Sequence, residues 1–288
     1  MKKVLFLVVT SLVATVAVPA AAQIRTLGAR PLGMASAFTP NASGNGALYH
    51  NPAGVGTSLM YSVEGAYEVS DDTNIFNASV VDSKINPRLA AGAAYSYTSG
   101  QDAAKGVTGH DARLVLASQV VPELMVVGVG GRYLDFRGPD EDAFRGFTLD
   151  VGTVFRITDG LFLGAAGRNL IDPCADNEEE VCPKGMAPRT VSGGVAFGTS
   201  LGFQVVADVE ADLSDSDQTA VRYAGGAELL LAQLLALRGG YQYHALSKNS
   251  VIAAGAGLKT GVAGFDIGYQ YTFDEGQYVL SLAIQLFL

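Results

Sequence analysis

Over the last two thirds of the chain, apolar residues recur at every second position in segments of roughly ten residues, the period of a β-strand with two different faces. In LMYSVEGAYEVS, Leu59, Tyr61, Val63, Tyr67 and Val69 share one face, while Ser62, Glu64, Glu68 and Ser70 share the other. RLAAGAAYSY repeats the pattern with Leu89, Ala91, Ala93, Tyr95 and Tyr97. In GFTLDVGTVFRI, Phe147, Leu149, Val151 and Phe155 oppose Thr148, Asp150 and Arg156. GFQVVADVEAD sets Phe203, Val205, Ala207 and Val209 against Gln204, Asp208 and Glu210. A helix would scatter these apolar sets around its axis, so strands are predicted. The closing QYVLSLAIQLFL puts Tyr278, Leu280, Leu282, Ile284, Leu286 and Leu288 on one uninterrupted apolar face.

The links between segments are read as alternating in length. SKINP, VPEL, ITDG, GTSLG, LLAQ and KTGVAG are short; SGQDAAKGVTG, RGPDEDAFRG, DPCADNEEEVCPKGMAP, LSDSDQT, HALSKNS and DEGQ are generally longer and more polar. Outer-membrane barrels have short periplasmic turns and longer external loops, which orients the chain and gives about fourteen strands between Leu59 and Leu288. NIFNASVVD and AELLLAQLLAL are the weakest segments. The second reads as a short helix or as strand, turn, strand, and the alternation resumed in LRGGYQYH favours strands. A soluble β-sandwich shares the period of two. An apolar closing strand would aggregate in water but is at home in lipid, so the fold class predicted is all-β, a closed antiparallel transmembrane β-barrel.

The chain opens with Lys2 and Lys3, an apolar run from Val4 to Val18, and Pro19-Ala20-Ala21-Ala22. This is the pattern of a cleaved export signal over residues 1–22. Its removal moves the formal charge from -9 to -11, so no basic surface for nucleic acid is offered. Charged residues make up only 16% and hydrophobic ones 49%, as interleaved lipid-facing and lumen-facing positions require. Thirty-five glycines suit close-packed strands, and with no tryptophan any aromatic girdle rests on Tyr and Phe. The expected localisation is the outer membrane of a Gram-negative bacterium.

Leu27 to Gly56, LGARPLGMASAFTPNASGNGALYHNPAGVG, is small, glycine-rich and too irregular for a membrane strand, which puts it inside or under the lumen. It resembles the N-terminal segment of the long-chain fatty acid outer-membrane transporter family (FadL-like) and the related PorV-type barrels. Gly28, Ala29, Arg30, Gly33, Met34, Ala37 and Phe38 match a first block, and Ala47, Tyr49, Asn51, Pro52, Ala53 and Gly54 match a second. GAAGRNLID, PRTVSGGVAF, ADVEAD and GAELLLAQLLALRGGYQY look like later landmarks of PorV-type members. The resemblance implies a hatch over residues 23–57 plugging a barrel over 58–288. In FadL-like transporters such a hatch gates diffusion of a hydrophobic solute that leaves sideways through the wall. PorV-type members act as shuttle or scaffold in secretion. Pro52 fixes φ and Asn51 is held extended, making a stiff bend whose amide can satisfy buried backbone groups. Asn51, Pro52, Ala53 and Gly54 are therefore read as a hatch motif or as a turn leading into the first strand.

Charges facing inward by parity are Glu64, Arg132, Asp150, Arg156, Arg168, Asp208, Glu210, Glu228 and Arg238. They make either a lumen ion-pair network or a polar channel, and internal pairing argues against a small-solute porin. Cys174 and Cys182, eight apart in an exported chain, read as a loop disulfide that stabilises by about 2–3 kcal/mol. Asp176, Glu178, Glu179 and Glu180 beside them read as a solvated loop tip. His50, His110 and His244 have no serine or carboxylate at catalytic spacing, so no enzyme is expected, and neither cofactor nor metal. The partners expected are outer-membrane lipid and either a hydrophobic small molecule or secretion-system proteins, around a monomer.

Overall fold

A computed structural model describes residues 28–288 except 87, 139–142, 174–186, 200 and 215–217. The export signal and the Cys174/Cys182 pair lie outside the described residues. Fourteen antiparallel strands close into one barrel, each paired with its neighbours in sequence and β1 with β14. They are β1 (Tyr61–Ser70), β2 (Thr73–Asp82), β3 (Leu89–Gly100), β4 (Thr108–Val121), β5 (Met125–Arg137), β6 (Ala143–Thr158) and β7 (Leu161–Arg168). The circuit continues with β8 (Thr190–Gly198), β9 (Phe203–Asp212), β10 (Ala220–Leu231), β11 (Leu235–His244), β12 (Ser250–Lys259), β13 (Ala263–Thr272) and β14 (Tyr278–Phe287). Among the described residues no helix is long and apolar enough to cross a membrane.

Side chains alternate as the sequence predicts. Outward Val63, Tyr67, Phe76, Tyr95, Tyr133, Phe147, Val209 and Leu282 are exposed, while Ser62, Glu64, Glu68, Thr148, Asp150, Asp208 and Glu210 are buried. A surface that exposes its large apolar residues and buries its acids inverts a water-soluble protein and fits a hydrocarbon surround. Both weak segments are strands. AELLLAQLLAL reverses at Ala232 and Gln233, with φ of 50° and 55°, and Leu234 N–H donates to the Leu231 carbonyl at 3.0 Å. Two successive left-handed residues make the type of turn whose twist matches a hairpin.

The length contrast between the two ends is less regular than the sequence suggests. Asp71 and Asp72 alone join β1 to β2 at the loop end, whereas residues 83–88 join β2 to β3 at the short-turn end. Bulges interrupt the β4–β5 ladder between Gln119 and Val121 and the β6–β7 ladder between Arg156 and Thr158. Both lie at the short-turn end. The segment before β1 occupies the lumen as two single-turn helices, α1 (Ala29–Leu32) and α2 (Ala47–His50), and 3-10 turns at Gly44–Gly46 and Pro52–Gly56.

Candidate functional site: the hatch and the lumen around it

Residues 28–57 are too short and too rich in glycine to hold a fold of their own, so the wall holds them. Gly28 N–H donates to Glu68 Oε2 at 2.8 Å, and Gln270 Nε2 donates to the Leu32 carbonyl at 3.0 Å. Phe38 and Thr39 N–H both donate to Asp208 Oδ2 at 2.7 Å. Arg30 makes two 2.9 Å bonds to the Glu228 carboxylate and stacks 5.0 Å from the Phe38 ring centre. Asn45 reaches Ser79 Oγ at 2.9 Å, and Thr39 Oγ1 reaches Ser192 Oγ at 3.2 Å.

The motif Asn51-Pro52-Ala53-Gly54 is wholly buried and forms a capped bend. Asn51 Oδ1 accepts from Ala53 N–H at 3.1 Å and caps the 3-10 turn, with Pro52 at the first position, where no N–H is needed. Its amide nitrogen donates to the Thr39 carbonyl at 2.9 Å and to the Thr153 carbonyl of β6 at 3.1 Å. A Cβ at Gly54 would lie 2.5 Å from the Ala42 carbonyl oxygen, so only glycine fits. Tyr49 stands over Arg113, whose guanidinium lies 4.9 Å from the ring centre. Burial pushes the Tyr49 phenol well above its ordinary range, outweighing the guanidinium, so it stays neutral.

Inward glycines of the wall form the seats on which the hatch rests. A Cβ at Gly92 would lie 2.6 Å from Leu48, at Gly164 2.5 Å from Pro40, at Gly226 2.6 Å from the Met34 carbonyl oxygen, and at Gly240 2.5 Å from Met34. Gly128 meets Pro52 and Ala53, Gly152 meets Asn51, Gly255 meets Gly33, and Gly268 meets Ala29. With Glu68, Ser79, Arg113, Ser192, Asp208, Glu228 and the Ala29–Ala66–Ala283 cluster, all fourteen strands touch the hatch. These wall glycines leave room in the lumen, and the hatch fills it.

The inward charges pair into three groups. Above the hatch, Asp111 bridges Arg113 at 2.8 Å and Arg132 at 2.7 Å, and Arg113 donates to the Leu48 carbonyl at 3.3 Å. Asp150 accepts from Asn169 N–H at 2.7 Å, and Arg132 donates to the Asn169 side chain at 2.9 Å. Across the lumen, Glu210 binds Arg168 and, at 3.0 Å, Arg222. Nearer the short-turn end, Arg238 joins Glu228 and Asp266 at 2.6 Å each, with Arg30 completing the group. Glu64 binds Gln285. Arg156 has inward parity but sits at the end of β6, half-exposed beside Asp159 at 3.4 Å, apart from all three groups. Asp111, Arg113, Arg222 and Asp266 were not singled out from the sequence, although HDARLVLA, VRYAGG and GFDIGYQY carry them at inward parity.

His50 packs edge-on against Phe38, His110 bonds the Tyr95 hydroxyl on the outer wall, and His244 bonds Gln242, so the three histidines are scattered. Among the described residues no three His, Cys, Asp or Glu side chains are grouped to hold a metal.

At the loop end the inward positions turn apolar. Ile75 of β2 and Leu134 and Phe136 of β5 are buried together, roofed by Val107 and Ala187 from the loops. Beside this cluster the wall is completed differently from elsewhere. β7 stops at Arg168, so, among the described residues, 143–149 of β6 run on without a strand partner on that side, about 23 Å of edge at the usual rise. Residues 169–173 lie along it as a strap: Leu170 N–H donates to the Leu149 carbonyl at 2.9 Å, Thr148 Oγ1 donates to the Ile171 carbonyl at 2.7 Å, and Pro173 sits against Gly146. Asn169, with φ of 53°, fastens the strap to the Asp150 and Arg132 side chains.

No protein-family model matches the sequence, and no curated protein matches it. Solved structures do match in fold. The Ralstonia pickettii toluene transporter TbuX aligns with a TM-score of 0.67 at 11% identity over 91% of this chain and 98% of that one. The CymD monoaromatic hydrocarbon channel aligns at 0.69 and 12% over 91% and 97%, and a Pseudomonas aeruginosa FadL homologue at 0.68 and 12% over 92% and 99%. At this identity the likeness is one of fold, which is that of FadL-type barrels.

Proposed function

We propose that this protein is an outer-membrane barrel for passive uptake of hydrophobic small molecules, with the loop end outside and the short-turn end in the periplasm. The observation that carries the reading is the buried apolar cluster of Ile75, Leu134 and Phe136 on the inner face of the external mouth, where a water-filled porin would be polar. The ion-paired lumen and the seated hatch argue in the same direction. Six buried or half-buried arginines are neutralised within the protein, so these six offer no free charge to draw a hydrated anion through. The fold neighbours described as toluene or monoaromatic hydrocarbon channels give the solute class to try first.

The strap along β6 is the natural exit in this reading. Phe147 faces lipid at its level, and beyond the Asn169 anchor the strap is held to the edge by the Leu170–Leu149 and Thr148–Ile171 hydrogen bonds. A solute leaving there enters the outer leaflet without crossing the hatch. The test is uptake of toluene and of a long-chain fatty acid into proteoliposomes, with glucose as the hydrophilic control. Uptake of the apolar probes alone, lost on Phe136→Asp, supports the reading; equal uptake of glucose, or none of either apolar probe, refutes it.

A non-transporting scaffold or secretion partner is the second reading. It is favoured by the contact of the hatch with all fourteen strands, which leaves the lumen filled. Absence of uptake by the wild type together with retention of envelope proteins by the folded barrel would favour it.

A further inference from the structure

The turns at the periplasmic end are unusual for segments that should lie in water. Five of the six carry an exposed aliphatic residue, Ile85, Leu124, Leu201, Leu234 and Val262, and beside the sixth stands exposed Ile157, one residue before the end of β6. Three of them are among the most exposed apolar side chains of the molecule, Ile85 at 78%, Val262 at 71% and Leu201 at 70%. Strands of ten residues rising about 3.3 Å each and tilted near 40° cover about 25 Å, which is the apolar height of an outer-membrane barrel. The turns therefore begin where hydrocarbon ends, at the depth of the glycerol and phosphate groups.

Charge points to the same surroundings. The chain as a whole is acidic, yet this rim carries Lys84, Arg88, Arg156 and Lys259 against Asp82, Glu123 and Asp159. Lys84 reaches the Leu288 carbonyl at 3.0 Å, and the Lys259 ammonium lies 5.2 Å from the Phe287 ring centre, so both cations stand beside apolar surface. At the external end, exposed Leu246 and Phe273 occur too, the first in a turn with Lys248, the second beside Asp274 and Glu275, with Asp71 and Asp72 in the next turn of the circuit. Long cationic side chains over aliphatic ones are what an anionic phospholipid interface accommodates.

We propose that the periplasmic rim is seated in the inner leaflet of the outer membrane, its turn aliphatics among the upper acyl chains and Lys84, Arg88 and Lys259 at the phosphates of anionic phospholipid. A rim held there is closed to a soluble periplasmic partner. The proposal rests on the membrane reading above and extends it from the strands to the turns.

The absence of tryptophan makes the test direct, since any tryptophan introduced reports alone. Leu201→Trp, Val262→Trp and Ile85→Trp probe three turns, Leu237→Trp probes the lipid face of β11, and Asp274→Trp probes an external turn. Each folded variant is reconstituted in vesicles of phosphatidylcholine and phosphatidylglycerol carrying bromine near the glycerol end of the acyl chain. The rim tryptophans should emit to the blue of Asp274→Trp and lose fluorescence to the brominated lipid as Leu237→Trp does. Lys84→Gln with Lys259→Gln should abolish any stronger quenching by brominated phosphatidylglycerol than by brominated phosphatidylcholine. Rim tryptophans that emit as in water while Leu237→Trp is quenched overturn the proposal and leave the membrane reading standing. Failure of Leu237→Trp to quench overturns both.

Discussion

Asp208 accepts two hatch N–H groups on a single carboxylate oxygen. Asp208→Ala leaves two buried donors without an acceptor, which costs about 2–4 kcal/mol, whereas Asp208→Asn keeps an oxygen in place and should cost roughly half. Thermal unfolding of the purified barrel in detergent, read by loss of strand signal, ranks the two. Among the seats, Gly164→Val and Gly226→Val force side chains into Pro40 and the Met34 carbonyl. Overpacking of this kind costs about 1–3 kcal/mol, and the easiest relief is for the hatch to lift. Both variants should therefore lower the unfolding temperature and raise ion conductance across a planar bilayer. Gly65→Val is the control, because nothing stands near that position. A fall in unfolding temperature with no conductance change would mean that the wall yields instead of the hatch.

The strap and the hatch are the two elements whose movement would matter. In a background of Cys174→Ser and Cys182→Ser, Leu149→Cys with Leu170→Cys places two thiols on the hydrogen-bonded pair that closes the β6 edge. Oxidation should stop uptake of apolar solute and reduction restore it, measured on the same vesicles; uptake indifferent to reductant would rule out this exit. These elements were unequally legible in the sequence. The strands and their faces were readable because lipid and lumen impose a period of two on neighbouring residues, and the strap was not. It exists because β7 is shorter than β6, and strand length is set by pairing partners distant in sequence. The turn at Ala232 and Gln233 was legible in LLAQ only through the alternation on either side of it, since neither residue is a glycine or asparagine.

For the molecule as a whole, alternation gave the fourteen strands and the small-residue segment gave the hatch, but neither gave the pairing of charges. Arg30 and Glu228 are 198 positions apart and meet only because the hatch crosses the lumen. Glu64, Asp150 and Asp208 are buried on the inner face, whereas Arg156 has the same parity but lies half-exposed at the end of β6, because parity says nothing about depth. Removing residues 28–57 should uncover the seat glycines and Ala66 and Ala283 to water, so a large rise in conductance with a lower unfolding temperature is expected in bilayer recording and thermal melts. A deletion variant that folds and stays electrically silent would show that the outer cluster and the charge groups close the lumen unaided.

The glycine seats have a bearing on engineering. The inner wall is a mould of one particular insert, with a missing side chain wherever that insert presses closest. A chimaera that brings in the N-terminal segment of another barrel will meet hollows shaped for Met34, Pro40 and Leu48, and one that borrows only the strands will offer bulk where those residues need clearance. The two parts can be exchanged together, as lock and matching key, and not singly.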